Sequence, residues 1–164
     1  METIGQGYPE ILLKLFMAML FGIILGVERA MANKTAGMRT FSLVSLGAAL
    51  FVIVSQIVSS QFTGLTNYDP LRVASQVIVG IGFLGAGLII YKGPGVVGLT
   101  TAAGMWVAAG IGMAAGFGLY AVAAIATILT LFIFVALWFV EDLIKRHSVG
   151  YSQRESKKKN YDDN

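Results

Sequence analysis

Cysteine is absent from this 164-residue chain, and histidine occurs once, at His147. Disulfides, thiolate metal sites and thiol nucleophiles are therefore excluded, and the lone imidazole sits in a polar tail away from any other catalytic group. Charge is also scarce: Asp, Glu, Lys and Arg make up 13% of the chain, about half the ~25% of an average soluble domain. The space is taken by apolar residues, 56% of the total, with a mean hydropathy of +0.75. A chain this apolar must present hydrocarbon-compatible side chains on its surface as well as in its core, which places it in a membrane. The net charge of +3 does not imply a nucleic-acid partner, because the basic residues fall in short connections and a terminal tail and form no folded basic face.

Five apolar runs are long enough to cross the ~30 Å hydrocarbon layer. They cover residues 11–27, interrupted by Lys14, then 41–58, 73–91, 99–115 and 119–140. The last two come from the 48 residues between Lys92 and Glu141, which hold no charge; one span consumes about 20 residues, so the stretch breaks near Gly116-Phe117-Gly118. The expected fold is all-α, a polytopic five-helix membrane bundle over residues 1–147 with a short basic tail over 148–164.

An odd number of spans puts the termini on opposite sides. Ten of the twelve basic residues lie on one side, in the segment with Arg29, Lys34 and Arg39, at Lys92 and in the tail; Lys14 and Arg72 lie on the other. The positive-inside rule then sets the amino terminus outside and the tail in the cytoplasm. Ala30-Met31-Ala32 resembles a leader cleavage site, but Glu2 and Glu10 precede the apolar core where a leader carries basic residues, so the first span is expected to stay attached. The tail is expected to be a solvated end near anionic lipid.

Candidate functional residues cluster at helix ends. Glu28, Arg29 and Arg39 border the first connection, Gly26 to Thr40. A charge at mid-bilayer costs roughly 2.5–3.5 kcal/mol, so these either snorkel to the interface or turn inward and pair, Glu28 with Arg39 being the preferred pair. Asp69 followed by Pro70 marks the start of span three as an N-cap with proline in the first turn. Arg72 and Gln76 then share a helix face with Ser75 beside them, and Gln76 is expected to meet another helix as structural glue or to line a polar path.

Gly80 to Gly87 reads GIGFLGAG. It satisfies the dinucleotide pattern only formally, since no strand precedes it and no solvent-exposed helix start follows. Gly80, Gly82, Gly85 and Gly87 on span three, with Gly110 and Gly112 on span four, are instead expected to let helices pack closely, and to favour a homo-oligomer. Thr100 or Thr101 caps span four or lines an ion site beside the Gly93–Gly98 turn, and Trp106 needs a polar partner for its indole N–H. No span contains histidine, cysteine or paired acids, so an enzyme is not expected.

As a set, these residues resemble the MgtC/SapB family of bacterial inner-membrane proteins. The resemblance runs from Gly26-Val27-Glu28-Arg29 through Ala36-Gly37-Met38-Arg39-Thr40, Asp69-Pro70-Leu71-Arg72, Gln76 and GIGFLGAG. It continues to Gly98-Leu99-Thr100-Thr101-Ala102-Ala103, Trp106 and Ala109-Gly110-Ile111-Gly112, about residues 10 to 140 in all. It implies a five-span inner-membrane domain and a role in adaptation to low magnesium, with Mg2+ as ligand or substrate, no other cofactor, and membrane lipids and other membrane proteins as partners. The family's virulence branch is associated with restraint of the ATP synthase and carries a further cytoplasmic domain of ACT-like fold, which is not expected after Val140 here. That branch has an important asparagine at the position of Thr100 and a cysteine at that of Val107, so its role does not carry over directly. Two functions follow: a non-enzymatic regulatory or accessory protein of magnesium homeostasis, or a transporter or channel with Glu28 near the ion path.

Overall fold

A computed structural model describes residues 7–61, 69, 71–93 and 95–162. They form five α-helices and one short hairpin: α1 (Tyr8–Met31), α2 (Met38–Gln61), α3 (Leu71–Leu88), β1 (Ile90–Lys92), β2 (Gly95–Val97), α4 (Leu99–Gly116) and α5 (Tyr120–Asp162). Each helix has a stretch long and apolar enough to cross a membrane, that of α5 being Tyr120–Glu141. The chain is thus an all-α multi-pass membrane protein. It divides into two units, residues up to Thr130 and residues from Leu131.

In the first unit, α1, α2 and α4 pack at backbone contact, and glycine is the reason. A Cβ on Gly22 would lie 2.6 Å from the Ser42 Cα, and one on Gly26 would overlap the Met38 backbone, so α1 and α2 run antiparallel at very close range. A Cβ on Gly112 would overlap the Ser45 carbonyl, and one on Gly116 would lie 2.9 Å from the Ala49 oxygen; α2 and α4 are therefore parallel. With no hydrophobic drive between helices in lipid, such approach gains dispersion contacts that larger residues would prevent. Ser45, fully buried, fastens the junction by donating its hydroxyl to the Ala18 carbonyl of α1 at 2.7 Å. Phe41, Leu25, Val52 and Ile53 are likewise almost fully buried within α1 and α2.

Helix α3 lies antiparallel to α4, with Gly85 against Ala102. It ends at Leu88, three residues before the expected end of the span. Ile90 and Tyr91 pair instead with Val97 and Val96 across the hairpin. Gly98 explains the early stop: it sits at φ +93, and a Cβ there would overlap the Leu88 carbonyl, so the chain must leave the helix to bring Gly98 beside its end. Tyr91 is exposed, as suits a membrane-interface aromatic. Helix α4 ends at Gly116, and Gly118 at φ +79 turns the chain into α5, where Ala123 and Thr127 are buried.

The second unit is helical from Leu131 through Asp162, so the backbone of the basic tail, expected as a solvated end, continues α5. Trp138 and Phe139 meet edge to face with ring centroids 5.0 Å apart.

Candidate functional site

Three polar places stand out among the described residues. The first is the end of α1. Glu28 pairs with Arg29, its neighbour in sequence, rather than with Arg39, which corrects the pairing expected from the sequence. Arg29 is only 3% exposed, and its position in the last turn also sets a cation against the carbonyl end of the helix dipole. The chain then turns through Asn33 in the left-handed region, φ 53, with Lys34 N–H donating to the Arg29 carbonyl at 3.0 Å. Gly37 and Gly26 bring α2 back against α1, so the reversal is too tight to turn Arg39 inward.

The second place is a groove of ≈ 750 Å³ between α2 and α3, floored by Met105 and Ala109 of α4. Arg39 and Thr40 stand at one end and Gln76 toward the other; between them the walls are apolar. Gln76 is exposed along this groove and not buried against another helix, which corrects the expectation of an interhelical partner. Arg72 is exposed on the first turn of α3. Asp69 caps that turn: its Oδ1 accepts from the Leu71 N–H at 2.9 Å, and its carbonyl accepts from the Arg72 N–H at 3.2 Å. Asn67, Tyr68 and Pro70 lie outside the described residues.

The third place was missed in the sequence reading. Lys14, in the apolar run of α1, is 3% exposed and reaches Glu10 at 3.0 Å. Its stem packs against Gly118, with the Lys14 Cε 3.5 Å from the position of a Cβ there. The signal was a single cation inside a span with an acid one turn earlier, the spacing of a helical ion pair.

Helix α4 corrects three further expectations. Its N-cap is Gly98, with no side-chain cap bond, so neither Thr100 nor Thr101 caps it; Thr101 is buried and Thr100 exposed. Trp106 is 54% exposed and turned away from the packed face, not held in a polar cavity. The glycines divide in two: Gly112 and Gly85 meet neighbouring helices, whereas Gly80, Gly82, Gly87 and Gly110 have no atom of another described helix within 4 Å of a Cβ position. Among the described residues, those four do not bring two helices together. Among the described residues no cluster of three or more His, Asp or Glu side chains is placed to hold a metal ion.

Five apolar helices, ion pairs with buried cations at the ends of α1 and a glycine-tight core define a polytopic membrane protein. The chain belongs to the MgtC family, whose sequence profile matches residues 15–143. It is 42% identical over 129 residues to a protein of Escherichia coli K12 named "Putative magnesium transporter YhiD", covering 76% of this chain and 59% of that one. It is 44% identical over 111 residues to protein MgtC of Brucella abortus, covering 68% and 44%. For protein MgtC of Salmonella typhimurium the identity is 45% over 96 residues, covering 58% and 38%. The chain thus spans between about two fifths and three fifths of the length of these relatives. No solved structure matches it.

Proposed function

We propose that this protein is a non-enzymatic accessory or regulatory protein of magnesium homeostasis that acts by contacting other membrane proteins. It would sit in the bacterial inner membrane, and the distribution of lysine and arginine supports an amino terminus outside and a basic tail in the cytoplasm. One observation carries the reading. Ala103, Trp106 and Gly110 recur along the exposed side of α4, and Gly110 has open space where a side chain would stand. Gly82 of α3, nearly opposite the groove-lining Gly80 on its helix, is open in the same way. An outward tryptophan beside a small-residue hollow gives a partner helix both an anchor and close backbone approach.

Photo-crosslinking from Ala103 in native membranes tests this. A stoichiometric membrane-protein partner is the expected product; adducts with lipid or with a second copy alone would overturn the proposal. The transporter reading, with Mg2+ as substrate and Glu28 near the path, draws support from the name of the Escherichia coli relative. The pairing of Glu28 with Arg29 opposes it, since a neutralised carboxylate is a poor cation ligand. Magnesium flux into liposomes separates the two: no flux above empty liposomes supports the accessory role, and flux that Glu28→Gln abolishes establishes transport.

A further inference from the structure

We infer that the groove between α2 and α3 holds one anionic phospholipid of the surrounding bilayer. Its phosphate lies on Arg39 and Thr40, and an acyl chain runs along Val44, Gly47 and Gly80. Shape is the first argument: the groove is an apolar channel of ≈ 750 Å³ whose polar wall residues sit toward its ends. Length is the second. From Arg39 to Phe51 its α2 wall rises through twelve residue steps, about 18 Å of helix. One leaflet contributes about half of the ~30 Å hydrocarbon layer, so an acyl chain anchored at Arg39 fills the wall to just below Phe51.

Charge chooses the headgroup. Both ion pairs given above use other cations, Lys14 and Arg29. Neither Met38–Gln61 nor Leu71–Leu88 contains an aspartate or glutamate. Arg39 is exposed at the mouth with no acid on either wall helix to pair with, and a phosphate is the anion that a bilayer brings to that depth. Charge also argues against a second copy as occupant. A two-fold contact through this face would bring α2 and α3 against themselves, and that surface offers no carboxylate to receive Arg39. Gly47 and Gly80 have open space at their Cβ positions, which leaves room for a chain.

The test is native mass spectrometry of the full chain, purified in neutral detergent and mixed with phosphatidylglycerol or phosphatidylcholine of identical chains. One phosphatidylglycerol should be retained per protein, with a preference of about fivefold over phosphatidylcholine, the increment expected for one basic residue facing a headgroup of net negative charge rather than one whose phosphate is balanced by choline. Arg39→Gln should remove the preference and keep weak retention of both lipids. Gly80→Leu, which projects into open space and leaves Arg39 in place, should reduce retention of both. Arg72→Gln, the same loss of charge at the opposite end of α3, should leave retention as it was. Equal retention of the two lipids by the unaltered protein would overturn the inference, as would a preference that survives Arg39→Gln or retention that ignores Gly80→Leu. Efficient disulfide formation between two copies of Gly47→Cys in membranes would assign the groove to a second copy and overturn it too.

Discussion

Gly112 of α4 sits so near Ser45 of α2 that a side chain on the glycine would overlap the serine carbonyl. The same serine donates its hydroxyl to Ala18 of α1. Three helices therefore meet at one glycine, and none can yield without separating the others. Gly112→Ala should destabilise the protein by about 3 kcal/mol, the upper range for overpacking, because the obstacle is backbone. Gly110→Ala, two residues away with open space around it, should be neutral or stabilising by about 0.5–1 kcal/mol through helix propensity. Thermal unfolding in detergent compares the two, and equal effects would refute the division of the glycines.

Gly98 joins the hairpin to α4 in a left-handed conformation, against the end of α3. Gly98→Ala faces both the roughly 1–2 kcal/mol of the left-handed region and overlap with the Leu88 carbonyl. The variant should lose α3 docking first. Accelerated proteolysis between α3 and α4, with α1 and α2 still protected, is the expected pattern.

The Lys14–Glu10 pair is asymmetric, since Lys14 is enclosed whereas the Glu10 side chain is 48% exposed. Glu10→Gln leaves a buried ammonium without its carboxylate and should cost about 2–3 kcal/mol, below the full penalty for a buried pair because the glutamate is half solvated. Lys14→Met leaves a carboxylate that water can reach, and should change stability by less than about 1 kcal/mol. Combining Lys14→Met with Glu10→Gln should recover most of what Glu10→Gln loses. Unfolding midpoints of the three variants decide it; a larger loss for Lys14→Met would reverse the assignment of the buried partner.

Glu28→Gln removes an anion from Arg29, which is nearly enclosed. Stability should fall by roughly 2 kcal/mol. Replacing Arg39 instead should leave the unfolding midpoint within about 0.5 kcal/mol, because that side chain is exposed. A drop for Arg39→Gln matching that for Glu28→Gln would restore the pair expected from the sequence.

What the sequence by itself determined is local or additive. Five helices are legible because hydropathy over about 20 residues sets whether a segment can enter hydrocarbon, and the Asp69 cap is legible because it needs only its own next residues. The motifs from Glu28 to Gly112 were enough to resemble the family that the profile then matched. Tertiary structure decided which way each residue faces. Gly110 and Gly112 are alike in sequence, and only the neighbouring α2 makes one indispensable to packing and leaves the other open. Glu28 had two cations within reach along the chain, and the tight α1–α2 reversal gave it Arg29. Lys14 read as an interruption until α1 was placed against the α4–α5 turn, and the groove beside Arg39 exists only because α3 lies on α4 and leaves a flank of α2 uncovered. Apart from the Glu28–Arg29 pair itself, the deciding contacts join residues far apart in the chain, and local pattern carries no record of that distance.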